Sequence, residues 1–88
     1  MIITTHAKKR MTQRGISQTT IELAISIGRY FYSKEALFFF IGKKEVKKYS
    51  KVVPLITKDE GVVVISSLEG TILTTYRNRN FLKKFKTN

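Results

Sequence analysis

His6, Arg10 and Arg14 recur every four residues near the start of the chain, just ahead of Gly15-Ile16-Ser17. In a helix each residue advances by about 100°, so positions four apart drift by only about 40° per step. One imidazole and two guanidinium groups therefore share one flank of a short helix. Such a row suits phosphate-like chemistry or an acidic partner. His6 is the sole histidine, so any histidine chemistry has to happen here.

The charge pattern favours the same ligands. The chain has 88 residues, 17 basic and 6 acidic, for a net charge of +11. All six acids (Glu22, Glu35, Glu45, Asp59, Glu60, Glu69) lie in the middle. Residues 1–21 carry Lys8, Lys9, Arg10 and Arg14 with no acid, and residues 70–88 carry Arg77, Arg79, Lys83, Lys84 and Lys86 with no acid. A surface this basic attracts polyanions and releases their counterions. Solubility alone calls for a charge of magnitude roughly 2–8 in a small domain. Nucleic acid is the first candidate partner and an acidic protein the second.

Composition removes several classes of function. With no cysteine, disulfides, zinc–thiolate sites and cysteine nucleophiles are excluded. A single histidine argues against a dedicated metal site, and nothing calls for a cofactor. The longest apolar run, Ala36 to Ile41, is far short of the roughly 20 residues a membrane helix needs. The N-terminus lacks the apolar core of a signal peptide. The expectation is one small soluble domain in residues 1–88, cytoplasmic, with no membrane partner.

Local signals place the elements. Thr4 or Thr5 can cap a first helix ending near Gln13, with Gly15 as its left-handed exit. Ser17 caps a second helix over about 18–27, with Ile16 and Ile21 as a hydrophobic staple. The aromatic run Arg29–Ser33 and the run Leu37–Ile41 read as a hairpin turning near Lys34-Glu35. Phe39 should face opposite to Phe38 and Phe40. Residues 43–58 are ambiguous: one or two helical turns with Val46 and Tyr49 inward, then an apolar connection interrupted by Pro54. Val62–Ile65 reads as a strand buried on both faces. Thr71–Tyr76 returns antiparallel, and residues 78–86 form a basic helix anchored by Phe81, Leu82 and Phe85. The fold class is α+β: two N-terminal helices, a four-stranded antiparallel sheet and a short C-terminal helix.

Three stretches carry a resemblance. His6-Ala7-x-x-Arg10-Met11-x-x-Arg14-Gly15-Ile16 resembles the opening of the family called domain of unknown function 4258. So do Leu37 to Gly42 followed by Lys43-Lys44-Glu45-Val46, and the closing Gly61–Ile65 and Gly70–Asn78. That family is similar in layout to RelE/ParE toxins and to barnase–colicin-type ribonucleases. The resemblance implies the fold, and with it a toxin-like activity on RNA, ribosome-associated RNA included, and an acidic antitoxin-like partner. One departure is Thr75, where an aliphatic residue is expected between Thr74 and Tyr76.

Metal-free RNA cleavage needs a base for the 2′ proton, an acid for the leaving 5′ oxygen, and cations for the phosphorane. His6 is the candidate base, since imidazole ordinarily titrates near neutrality. Arg10 and Arg14 can bind phosphate oxygens bidentately. Tyr76 can donate a proton or stack on a base, and Thr74 can orient water or phosphate. Arg77, Arg79, Lys83 and Lys84 supply further phosphate contacts. The catalytic set is then His6, Arg10 and Tyr76, and it requires the first helix to lie against the end of the last strand. Structural roles compete for the same residues. His6 can cap its helix, Arg10 and Arg14 can pair with Glu22 or helix-end carbonyls, Tyr76 can be core, and the Lys43–Lys51 run can be a solvated face. The expected function is a small toxin-like RNA-binding protein acting as a metal-independent endoribonuclease. The alternative is a non-catalytic module that binds nucleic acid or an acidic protein.

Overall fold

The structure is a computed structural model that describes the backbone of residues 1–86 and the side chains of residues 1–83. Helix α1 spans Thr5–Arg14 and α2 spans Gln18–Ile27. The hairpin is β1, Arg29–Ser33, and β2, Ala36–Phe40. Helix α3, Lys43–Tyr49, and a 3-10 helix, Pro54–Asp59, fill the ambiguous connection. Strands β3, Val62–Ser67, and β4, Ile72–Arg77, precede α4, Phe81–Lys86. The expected α+β class holds, with all four strands antiparallel in the order β1-β2-β3-β4.

The first two helices are set by their caps. Thr4 accepts from the Ala7 N–H at 3.0 Å. Gly15, at φ 63°, lets the chain leave α1 so that the Ile16 N–H reaches the Met11 carbonyl at 2.9 Å. A non-glycine residue there adopts a left-handed backbone at a cost. Ser17 accepts from the Thr20 N–H at 3.1 Å and starts α2. The Thr20 hydroxyl in turn donates to the buried Asp59 carboxylate at 3.2 Å, tying α2 to the 3-10 helix.

The sheet separates two clusters. On one face α1 and α2 bury Ala7, Ile21 and Ala24 against Val62, Val64 and Ile72, with Phe39 and Met11 packed alongside. On the other face Phe40, Val63 and Phe81 are buried, with Phe31, Phe38, Ile65 and Tyr76 around them. Phe39 thus faces away from Phe38 and Phe40, as strand alternation requires. The Phe81 ring from α4 lies 5.8 Å from Phe31, 6.1 Å from Phe38 and 5.0 Å from Phe40. Phe85, expected as a further anchor, lies outside the residues whose side chains are described.

Strand β4 is an edge strand, and α1 lies along it. At one end the Thr4 N–H donates to the Ile72 carbonyl at 3.1 Å and the Ile72 N–H donates to Ile2 at 2.8 Å, forming a parallel bridge between Ile3 and Ile72. At the other end Arg77 reaches the last carbonyls of α1. Thr75 also has its partner. It is fully buried on the helix-covered face of the sheet, and its hydroxyl donates to the Val63 carbonyl at 2.7 Å. A polar group among aliphatic neighbours is tolerated because it is hydrogen-bonded.

Candidate nucleic-acid interface

The residues expected to act on phosphate fall into two groups, one on each side of the sheet. His6 and Arg14 stand exposed on α1, and Arg10 between them is half-buried. Arg10 donates to the Gln13 side chain at 2.7 Å, one turn on along its own helix. His6 makes no side-chain hydrogen bond among the described residues, and its imidazole is open to solvent. Neither arginine pairs with Glu22, which instead accepts from Gln18 at 3.2 Å.

Arg77 joins the α1 side. Its position opposite Val62 turns it toward the two helices. Nε donates to the Arg14 carbonyl and Nη2 to the Gly15 carbonyl, each at 3.3 Å, while Nη1 donates to the Lys58 carbonyl at 2.9 Å. The guanidinium therefore closes the C-terminus of α1, where a cation meets the negative end of the helix dipole. The contact between α1 and the end of the last strand exists, and Arg77 makes it.

Tyr76 and Thr74 point the other way. They stand opposite Val63 and Ile65, and Tyr76 packs in the aromatic cluster under α4. The sheet separates Tyr76 from His6 and Arg10, so the expected catalytic set is not gathered on one side. Burial pushes the Tyr76 phenol above its ordinary pKa of 10.0, which makes it a poorer proton donor. Arg79 and Lys83 follow on this second side and are exposed. Lys84 lies outside the residues whose side chains are described.

The second side also holds a cleft of about 210 Å³. Arg29, Lys43, Lys44 and Arg79 line it, with Glu60 and Leu82. Arg29 is fixed from behind. Its Nη2 donates to Glu45 Oε1 at 3.3 Å, and its Nε lies 2.8 Å from Oε2, with the N–H turned off that oxygen and no aligned acceptor. The Glu45 carboxylate, buried to 5% exposure, also accepts from the Gly42 N–H at 2.8 Å. The Arg29 guanidinium sits 5.8 Å from the centre of the Phe40 ring. Gly42 makes this packing possible, because a Cβ there would stand 2.6 Å from the Phe40 ring and 2.8 Å from Arg29 Nη2.

Arg79 is delivered by the chain's exit from β4. The Asn78 N–H donates to the Gly61 carbonyl at 2.7 Å, and the Asn78 side chain accepts from the Asn80 N–H at 2.9 Å. Gly61, at φ 92°, leaves room for Arg79, whose Cγ would be 2.9 Å from a Cβ. Sequence reading found Arg79 but not Arg29, Lys43 or Lys44. The signal for the last two is Gly42-Lys43-Lys44-Glu45, a glycine followed three residues later by a glutamate that reaches back to the helix start.

Among the described residues no helix is long and apolar enough to cross a membrane, and no group of three or more His, Cys, Asp or Glu side chains could hold a metal ion. The family model for the domain of unknown function DUF4258 matches residues 3–77. The chain belongs to that family. The match takes in α1 through β4, so the α1 row, the Gly42 corner and the Tyr76-Arg77 pair are all within the DUF4258 domain, and α4 follows it. No curated protein and no solved structure matches the chain.

Proposed function

We propose that this DUF4258 domain is a small toxin-like RNA-binding protein. One observation carries the reading. The two acid-free basic stretches of the sequence, far apart in the chain, meet along β4. Helix α1 lies on that strand from Thr4 at one end to Arg14 at the other, and β4 leads into Arg79 and Lys83. The α1 stretch, basic and free of acids, and the basic exit from β4 form an electrostatic footprint for a polyanion. The order of elements, two helices and then an antiparallel sheet, resembles RelE/ParE and barnase–colicin-type proteins and favours RNA among polyanions.

Cleavage is the finer part of the proposal. It rests on His6 as base with Arg10 and Arg14 beside it on an exposed helix. Tyr76 is across the sheet, so the acid has to come from water or from the RNA itself. The non-catalytic module needs none of this and is the reading that survives if His6 is silent.

The test is binding and cleavage of a single-stranded RNA across a salt series. Log affinity should fall linearly with log salt, with a slope of about 0.7 for each phosphate contact. His6→Ala should abolish cleavage and leave affinity nearly unchanged. Affinity that ignores salt removes the RNA reading. Cleavage that persists in His6→Ala removes the nuclease and leaves the binding module.

A further inference from the structure

The cleft between α3 and α4 is a built feature that neither the α1 row nor the core accounts for. Four cations, Arg29, Lys43, Lys44 and Arg79, line it. Glu60 and, behind Arg29, Glu45 oppose them. Two positive charges therefore remain uncompensated within one concave space. Arg29 is pre-positioned by a carboxylate buried behind it and by the Phe40 ring. A guanidinium held in this way loses little freedom on meeting an anion, whereas flexible surface lysines lose more.

Size narrows the ligand. A volume of about 210 Å³ is below the roughly 300 Å³ at which pockets for whole small molecules begin. It corresponds to several water molecules at about 30 Å³ each. A tetrahedral oxyanion of five heavy atoms fits that space. Phe40 also lines the cleft, but at 2% exposure and with the Arg29 guanidinium over its ring it offers little face to a base.

We infer that the Arg29–Lys43–Lys44–Arg79 cleft is the binding site for a single phosphate group. Resting on the RNA reading above, the group is one phosphate of a bound RNA, held while neighbouring nucleotides run over α4. Inorganic phosphate presents the same chemistry and occupies the same space. The exposed Lys43 and Lys44 supply charge alongside Arg79 and the buttressed Arg29.

The experiment is an amide NMR titration of the whole protein, first with inorganic phosphate and then with a single-stranded RNA. Phosphate should move the Gly42, Lys43 and Lys44 amides along a saturating curve. The double variant Lys44→Ala/Arg79→Ala should weaken phosphate binding at least about tenfold and lower the RNA salt slope by about 0.7, for the one phosphate the cleft holds. Lys47→Ala/Lys48→Ala removes the same charge from the far part of α3 and should leave phosphate binding unchanged. Shifts scattered without saturation over all basic residues, or equal losses in the two double variants, overturn the site. If phosphate saturates the cleft and RNA does not bind, the site stands and the RNA reading falls. If RNA binds the wild type and the Lys44→Ala/Arg79→Ala variant alike, the site falls and the RNA reading stands.

Discussion

The two faces of the sheet are built on different terms. One is covered by two capped ten-residue helices packed through Ala7, Ile21, Ala24, Val62 and Val64, all aliphatic. The other is covered by one six-residue helix whose Phe81 packs among three other phenylalanines. On the first face the basic residues either serve the fold, as Arg77 does, or stand on the outside of a helix. On the second, four cations line a cleft beside α4. The difference teaches what kind of space each cover leaves: a cation-lined cleft of about 210 Å³ beside α4, and a cleft of about 330 Å³ between α2 and the 3-10 helix whose only charged lining residues, among those described, are Lys58 and Asp59.

The largest expected effect tests whether α4 is anchored as described. Phe81→Ala should cost about 3–5 kcal/mol, comparable to Ile21→Ala at about 2–5 kcal/mol on the opposite face. Urea denaturation reads both. A loss below about 1 kcal/mol for Phe81→Ala would mean that the aromatic face does not depend on its cover. Arg77→Ala comes next, at about 1–2 kcal/mol, because three carbonyls lose a charged donor at a site open to water. Arg77→Lys should recover only part of it, since one ammonium lacks the geometry to reach all three. Full recovery would reduce Arg77 to a charge at a helix end.

Smaller effects sharpen the contrast within β4 itself. Thr75→Val keeps the shape and removes the donor to Val63, with an expected loss of about 1 kcal/mol. A stabilised variant would show that the position prefers the aliphatic residue its neighbours suggest. Tyr76, one residue on and facing the other cluster, gives the smallest effect. Its folded pKa is raised by burial, so its contribution to stability is complete below the ordinary value of 10.0 and is lost as pH rises through the folded value. The alkaline limb of a stability–pH curve should therefore flatten in Tyr76→Phe. An unchanged limb would place the phenol in water.

Much of the fold was legible because its signals are local. Thr4, Gly15 and Ser17 mark helix ends through bonds to residues three to five positions away. Residues 43–59 were hard to read because α3 is short and the 3-10 helix lacks an amphipathic period. The site was less legible, for two reasons. Neighbouring strand residues face opposite sides, so Tyr76 and Arg77 cannot share a pocket however adjacent they are in sequence. A register irregularity at Ile65/Ser66 also shifts the pairing of β3 with β4. The cleft depends on Arg29 pairing with Phe40 across the hairpin and on Arg79 crossing Gly61. Those are contacts of register and crossing that no local motif announces.

The seam between α1 and the final strand sets an order on maturation. Thr4 bonds to Leu73 across 69 positions, and Arg77 seals the same seam from 62 and 63 positions away. On a ribosome, α1 emerges before β4 and cannot close this seam until β4 has left the exit tunnel. Such distant closure slows folding relative to local contacts. Until then the segment with His6, Arg10 and Arg14 lacks its strand, and whatever that row does in the folded domain has to wait for β4.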